Sequence, residues 1–125
     1  MLAQLNVAVG LIAITVAIQA LFMSVGLRAF RWLEAHPTIA IARLPTLATV
    51  VWILFFIVPI VLDVGLWAAF YYAKSALPSF EEAFYFSTVT FTTVGYGDVV
   101  LGAEWRQLAA FEAIDGWIIS AGPPQ

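Results

Sequence analysis

Two long stretches almost without charge decide most of what this chain can become. Leu2 to Leu27 carries no charged residue, and Leu44 to Tyr72 carries only Asp63. A helix needs about 20 apolar residues to cross ~30 Å of hydrocarbon, so each run can span with some tilt. A cleaved signal peptide does not describe the first run. No positive charge precedes it, it is too long, and its basic residues follow it. The composition points the same way: 63% of the 125 residues are hydrophobic and 10% charged, against about 25% charged in soluble domains. These values predict a single all-α domain with the bilayer as its solvent.

The remaining segments are shorter. Arg28, Arg31, Glu34, His36, Pro37 and Arg43 make a polar connection, with Pro37 and Pro45 as non-helical entry points. His36, the lone histidine, reads as a solvated loop residue. In "LPSFEE", Ser79 and Glu82 have capping-box spacing, and Glu81 and Glu82 fall where the helix dipole favours negative charge. The helix they start, Phe80 to Phe91, would be ~18 Å long, too short to span. It is too apolar for a solvated loop, so a re-entrant helix fits. A third apolar segment runs from Glu104 to Ala121 and stops at Gly122-Pro123-Pro124. At about 17 residues it is at the lower limit for a span.

Basic residues set the orientation. Arg28, Arg31 and Arg43 outnumber Lys74 and Arg106, which places the first connection in the cytoplasm, the N-terminus outside and the C-terminus inside. Trp32, Trp67 and Trp105 fall near span ends, as interfacial aromatics do. Arg28 and Arg31 sit at a helix end with no arginine inside the apolar run, which makes them anchors rather than a voltage sensor.

Against this background "TFTTVGYGDVV", Thr90 to Val100, stands out. Non-helical backbone at membrane depth is tolerated only inside protein or along a water-filled path. Gly95 and Gly97 alternate with Val94 and Tyr96, and glycine adopts left-handed angles freely. Alternation can turn successive carbonyls to one side, where they become cation ligands. One strand cannot surround an ion, so several chains must meet around an axis.

"TTVGYGD" resembles the signature of the potassium channel pore family. The order of span, pore helix, filter and span is similar to its two-transmembrane pore, and the extra N-terminal span resembles small bacterial members. The likeness is strong from about Thr46 to Gly116; before that only hydropathy matches. The resemblance implies an all-α membrane protein with three transmembrane helices and a re-entrant pore helix and filter loop between the second and third. It divides the chain into an N-terminal helix over 1–30, a cytoplasmic connection over 31–45 and a pore domain over 46–125. Within the last it implies an outer helix over 46–72, a pore helix over 80–91, a filter over 92–98 and a short inner helix over 104–121.

The residue roles follow from the same resemblance. Thr93, Val94, Gly95, Tyr96 and Gly97 would bind potassium, mainly through backbone carbonyls, with the Thr93 hydroxyl added. Asp98 would attract cations at the outer mouth. Four copies would complete each site, and four pore helices would aim their negative ends at the central cavity. Tyr85 and Phe86 stand where several members keep tryptophans, and Val89 where some place a glutamate, so Asp98 needs another partner or stays hydrated. Gly116 is the hinge candidate of the third helix. Few residues follow it, so either the chain is truncated or the pore has no lower helical gate.

Three carboxylates lie in apolar surroundings, which costs roughly 2.5–3.5 kcal/mol each on insertion scales. Glu112 and Asp115 share a helix face. Asp115 either concentrates cations in the cavity, near a stripe holding Ile118 and Ala121, or bonds neighbouring helices. Asp63 and Glu112 lie at similar depth; they either meet or each finds a separate hydroxyl, such as Ser87 or Thr88.

The chain has no cysteine, no ligand-spaced histidine and no basic-aromatic run, so thiolate chemistry and nucleic-acid binding are not expected. No nucleophile–base pair suggests an enzyme, and no cofactor is expected beyond potassium as the permeant ion. The reading is a potassium-selective homotetramer in a cell membrane of the bacterial inner type. A weakly selective cation channel and a non-conducting membrane subunit are the alternatives.

Overall fold

The computed structural model of the chain describes residues 2–36 and 44–121. Pro37 and Arg43 lie outside them. Four helices account for most of the described residues: α1 Leu2–Ala35, α2 Pro45–Ala73, α3 Phe80–Phe91 and α4 Arg106–Ala121. None of the described residues pairs into a β-ladder. Both α1, with 34 residues, and α2, with 29, are long and apolar enough to cross a membrane.

The helix α1 runs further than its apolar stretch. Arg28, Arg31 and Trp32 sit on its last turns rather than in a connection beginning at 31. No proline or glycine interrupts the segment from Leu27 to Ala35, so nothing in the backbone stops the helix where the charges begin. At 1.5 Å per residue α1 is ~51 Å long, more than the ~30 Å thickness of a hydrocarbon core.

Pro45 occupies the first turn of α2, where its missing N–H is harmless. Pro59 lies inside α2 and has no N–H to offer the Phe55 carbonyl, yet the helix continues to Ala73. The Ser79 hydroxyl accepts from the Glu82 N–H at 3.1 Å and starts α3, as the capping spacing predicts. At α4 the helix begins at Arg106, after a turn over 103–105. Its 16 residues make it ~24 Å long.

The principal contacts form a ring: α1 on α2, α2 on α3, α3 on α4, and α4 back on α1. Inside the ring lie Trp67, Tyr71, Leu108 and Phe86. The outward faces of α1 and α2 expose Leu, Val and Ile side chains along much of their length, as lipid-facing helices do. Trp67 departs from the interfacial place expected of it. It is fully buried, because its indole N–H has a partner in the ring, described below.

Candidate functional site: a glycine-punctuated segment after a short helix

The segment after α3 has an unusual backbone. Thr93, Gly95 and Gly97 have φ of 60°, 55° and 78°, while Val94 and Tyr96 between them keep negative φ. Left-handed and ordinary residues therefore alternate over five positions, as the sequence alternation predicts for Gly95 and Gly97. Glycine enters the left-handed region at no steric cost. Thr93 does so against a penalty of roughly 1–2 kcal/mol, and its neighbours hold it there. Its own N–H donates to the Thr90 carbonyl at 2.9 Å, and the Gly95 N–H donates to the Val89 carbonyl at 2.9 Å. The Thr92 hydroxyl donates to the Thr88 carbonyl at 2.7 Å. Carbonyls that the C-terminus of α3 would leave unpaired are thus bonded to the strand it launches. Residues 92–98 are all exposed in the single chain.

Asp98 has a partner. The Tyr85 hydroxyl donates to its Oδ2 at 2.7 Å. That bond holds the Asp98 carboxyl below the ordinary carboxylate range and pushes the Tyr85 phenol up. Tyr85 thus meets the need left by valine at position 89. Phe86 packs edge-on against Tyr71 with ring centroids 5.5 Å apart. A prediction follows from the sign of the Asp98 shift. The bond favours the charged form, so Tyr85→Phe moves the loss of the Asp98 charge to higher pH. If Asp98 stands at the outer mouth of a pore, as the resemblance implies, current measured against external pH should fall at a higher pH in the variant than in the parent; coincident curves would separate Asp98 from conduction.

The three carboxylates lie inside the ring, and none is exposed. Tyr71 donates to Glu112 Oε2 at 2.8 Å, and the Ser87 hydroxyl donates to Glu112 Oε1. Glu112 thereby joins α2, α3 and α4. Asp115 Oδ2 accepts from Thr15 at 2.8 Å and from the Trp67 indole at 3.1 Å. Asp63 Oδ2 accepts from Gln19 at 2.8 Å. Asp63 and Glu112 therefore have separate partners. Of the hydroxyls proposed, Ser87 serves Glu112, while Thr88 bonds the Phe84 carbonyl instead. Among the described residues no group of three or more acidic or histidine side chains is placed to hold a metal ion.

Asp115 bonds side chains of α1 and α2, and its burial sets it apart from Ile118 on the same helix. Ile118 is 47% exposed and Asp115 is 0% exposed. Its carboxyl reaches toward α1, an orientation hidden in a sequence whose α1 partner looks like an ordinary apolar run. Gly116, the hinge candidate, sits in a tight backbone contact. A Cβ built on it would lie 1.8 Å from the Phe91 carbonyl oxygen. The glycine is there because α4 meets the backbone end of α3 at that point.

Thr15, Gln19, Trp67 and Tyr71 are the functional-site neighbours that sequence reasoning missed or misplaced. A signal exists for each. Thr15 and Gln19 are polar residues one helical turn apart in an apolar run, and Asp63, Trp67 and Tyr71 recur at four-residue spacing on α2.

A family model for an ion channel matches residues 57–122, more than half the chain. Among curated proteins and among solved structures, none matches the chain. The chain belongs to this ion channel family, in agreement with the resemblance to potassium channel pores, and is a membrane protein of ion transport.

Proposed function

We propose that this ion channel family member is a potassium-selective pore formed by four copies of the chain. The alternation of left-handed φ at Thr93, Gly95 and Gly97 is the observation that carries this reading. It suits a row of carbonyls that replaces the hydration shell of a cation. One chain supplies one side of each potassium site, from Thr93, Val94, Gly95, Tyr96 and Gly97, and three further copies close it. Exposure of 92–98 in the single chain agrees with a surface that other copies cover. Asp98, charged and held by Tyr85, concentrates cations at the outer mouth. The C-terminal end of α3 adds a negative dipole end toward the cavity below the filter.

In this reading α1, α2 and α4 are the three transmembrane helices, and α3 with the loop after it re-enters from outside. The N-terminus is outside and the C-terminus cytoplasmic, in a cell membrane of the bacterial inner type. The charges of Arg28 and Arg31 at one end of α1 support that direction. A cysteine at Ser75 should react with an impermeant thiol reagent applied outside intact cells, and one at Ala35 should not. The parent chain has no cysteine, so labelling reads those positions alone. The reverse pattern would overturn the topology.

Flux from the purified chain in lipid vesicles tests the function. Potassium should leave loaded vesicles when its charge is balanced by an ionophore for protons. Vesicles that hold the tetramer and release no potassium would make the chain a non-conducting membrane subunit.

A further inference from the structure

The helix α1 lies before the residues matched by the family model, 57–122. Lipid tails are as apolar as leucine, so two apolar helices gain little from hydrophobic burial against each other in a bilayer. Their association depends on packing and on hydrogen bonds between them. Thr15 and Gln19, one turn apart, supply such bonds from α1 to the interior of the ring. Each bonds a carboxylate that is fully buried: Thr15 to Asp115 on α4 at 2.8 Å, and Gln19 to Asp63 on α2 at 2.8 Å.

Both carboxylates are held through one oxygen only. Oδ1 of Asp63 and Oδ1 of Asp115 have no partner among the described residues. Gln19 is therefore the sole support of Asp63 among them, and Asp115 keeps only the Trp67 indole if Thr15 is lost. A buried polar group without partners is costly, so the helix that carries it moves to regain one.

Such a movement of α4 has a direct route to the strand. Gly116 follows Asp115 and lies where a Cβ would be 1.8 Å from the Phe91 carbonyl oxygen. Phe91 ends α3, and Thr92 and Thr93 begin the strand. The contact is backbone on backbone, with no flexible side chain to absorb a shift, and close-packed interiors transmit strain. Thr93, at a φ of 60°, is the residue least able to keep its conformation once its surroundings relax.

We propose that α1 positions the filter: Thr15 and Gln19 are positioning residues that hold α4 and α2 so that Gly116 supports the Phe91 carbonyl and the backbone of residues 92–97. The proposal rests on the filter reading given above, and it makes α1 a working part of the pore rather than a membrane anchor.

Amide hydrogen exchange and ion selectivity test it together on the assembled full chain. Thr15→Val keeps the shape and removes the hydroxyl; Gln19→Leu removes the amide; Thr15→Ser keeps a hydroxyl. Ser24→Ala is the control: that hydroxyl bonds the Leu21 carbonyl of its own helix and no other helix among the described residues, whereas the Thr15 hydroxyl reaches Asp115 as well as the Ile12 carbonyl of its own helix. Thr15→Val and Gln19→Leu should each raise exchange over residues 92–97 by about tenfold, the scale of losing one buried hydrogen bond. They should also lower the potassium-over-sodium permeability ratio. Thr15→Ser should restore both readouts, and Ser24→Ala should change neither. Faster exchange confined to α1 and α4, with protection at 92–97 unchanged, would overturn the proposal. Exchange is readable whether or not the chain conducts. A parent chain without selective flux would count against the filter reading alone, and the exchange pattern would still decide the role of α1.

Discussion

Alanine at Gly95 or Gly97 is expected to abolish potassium conduction while leaving the helices intact. Both glycines have positive φ, 55° and 78°, and open space around the missing Cβ. The penalty is therefore conformational rather than steric crowding: a residue with a Cβ in that region costs about 1–2 kcal/mol. In the proposed tetramer four copies share one axis, so the cost would recur fourfold at a single ring of ligands. The backbone escapes it by leaving the left-handed region, which turns a carbonyl away from the axis. Flux should fall to the level of empty vesicles, with helical circular dichroism and tetramer yield like those of the parent. Normal potassium flux in both variants would remove these carbonyls from the conduction path.

Gly116→Ala should have an effect of comparable size through a different route. Its new Cβ would meet the Phe91 carbonyl oxygen at 1.8 Å and the carbonyl carbon at 2.7 Å. Neither atom belongs to a side chain that can rotate away, so one helix must shift against the other. Overpacking of this kind costs typically about 1–3 kcal/mol in each copy of the chain. Assembled protein should drop sharply, and what assembles should unfold at lower temperature. A glycine that served only as a hinge would behave otherwise. Its alanine variant would assemble and melt like the parent, and only its opening would change. Thermal unfolding of the purified variant beside the parent distinguishes the two.

Several features were legible because they follow from local rules. Hydropathy showed α1 and α2, since a long uncharged run has few other uses. The Ser79 cap was readable from its spacing to Glu82, and the alternation at Gly95 and Gly97 from glycine chemistry. The interior of the ring was harder, because its meaning depends on which helices meet. Trp67 looks like an interfacial tryptophan until the chain brings Asp115 to its indole N–H. Asp115 looks close to the stripe of Ile118, yet the bonds from Thr15 and Trp67 turn it inward. Tyr85 as the partner of Asp98 needed the return of the strand alongside α3. Gly116 fits a hinge by position, and only the nearness of Phe91 shows why no side chain fits there. In each case the local residue type was informative, and the partner came from a distant part of the chain.

Current–voltage curves from the purified chain in a planar bilayer, with potassium on one side and sodium on the other, test the central claim most directly. If the carbonyls of residues 93–97 replace the hydration shell of potassium, the reversal potential should lie far from zero, with the sign set by potassium. It should move with the potassium gradient when sodium is held constant. A reversal potential near zero, with sodium carrying comparable current through the same tetramers, would contradict the account and make the protein a weakly selective cation channel.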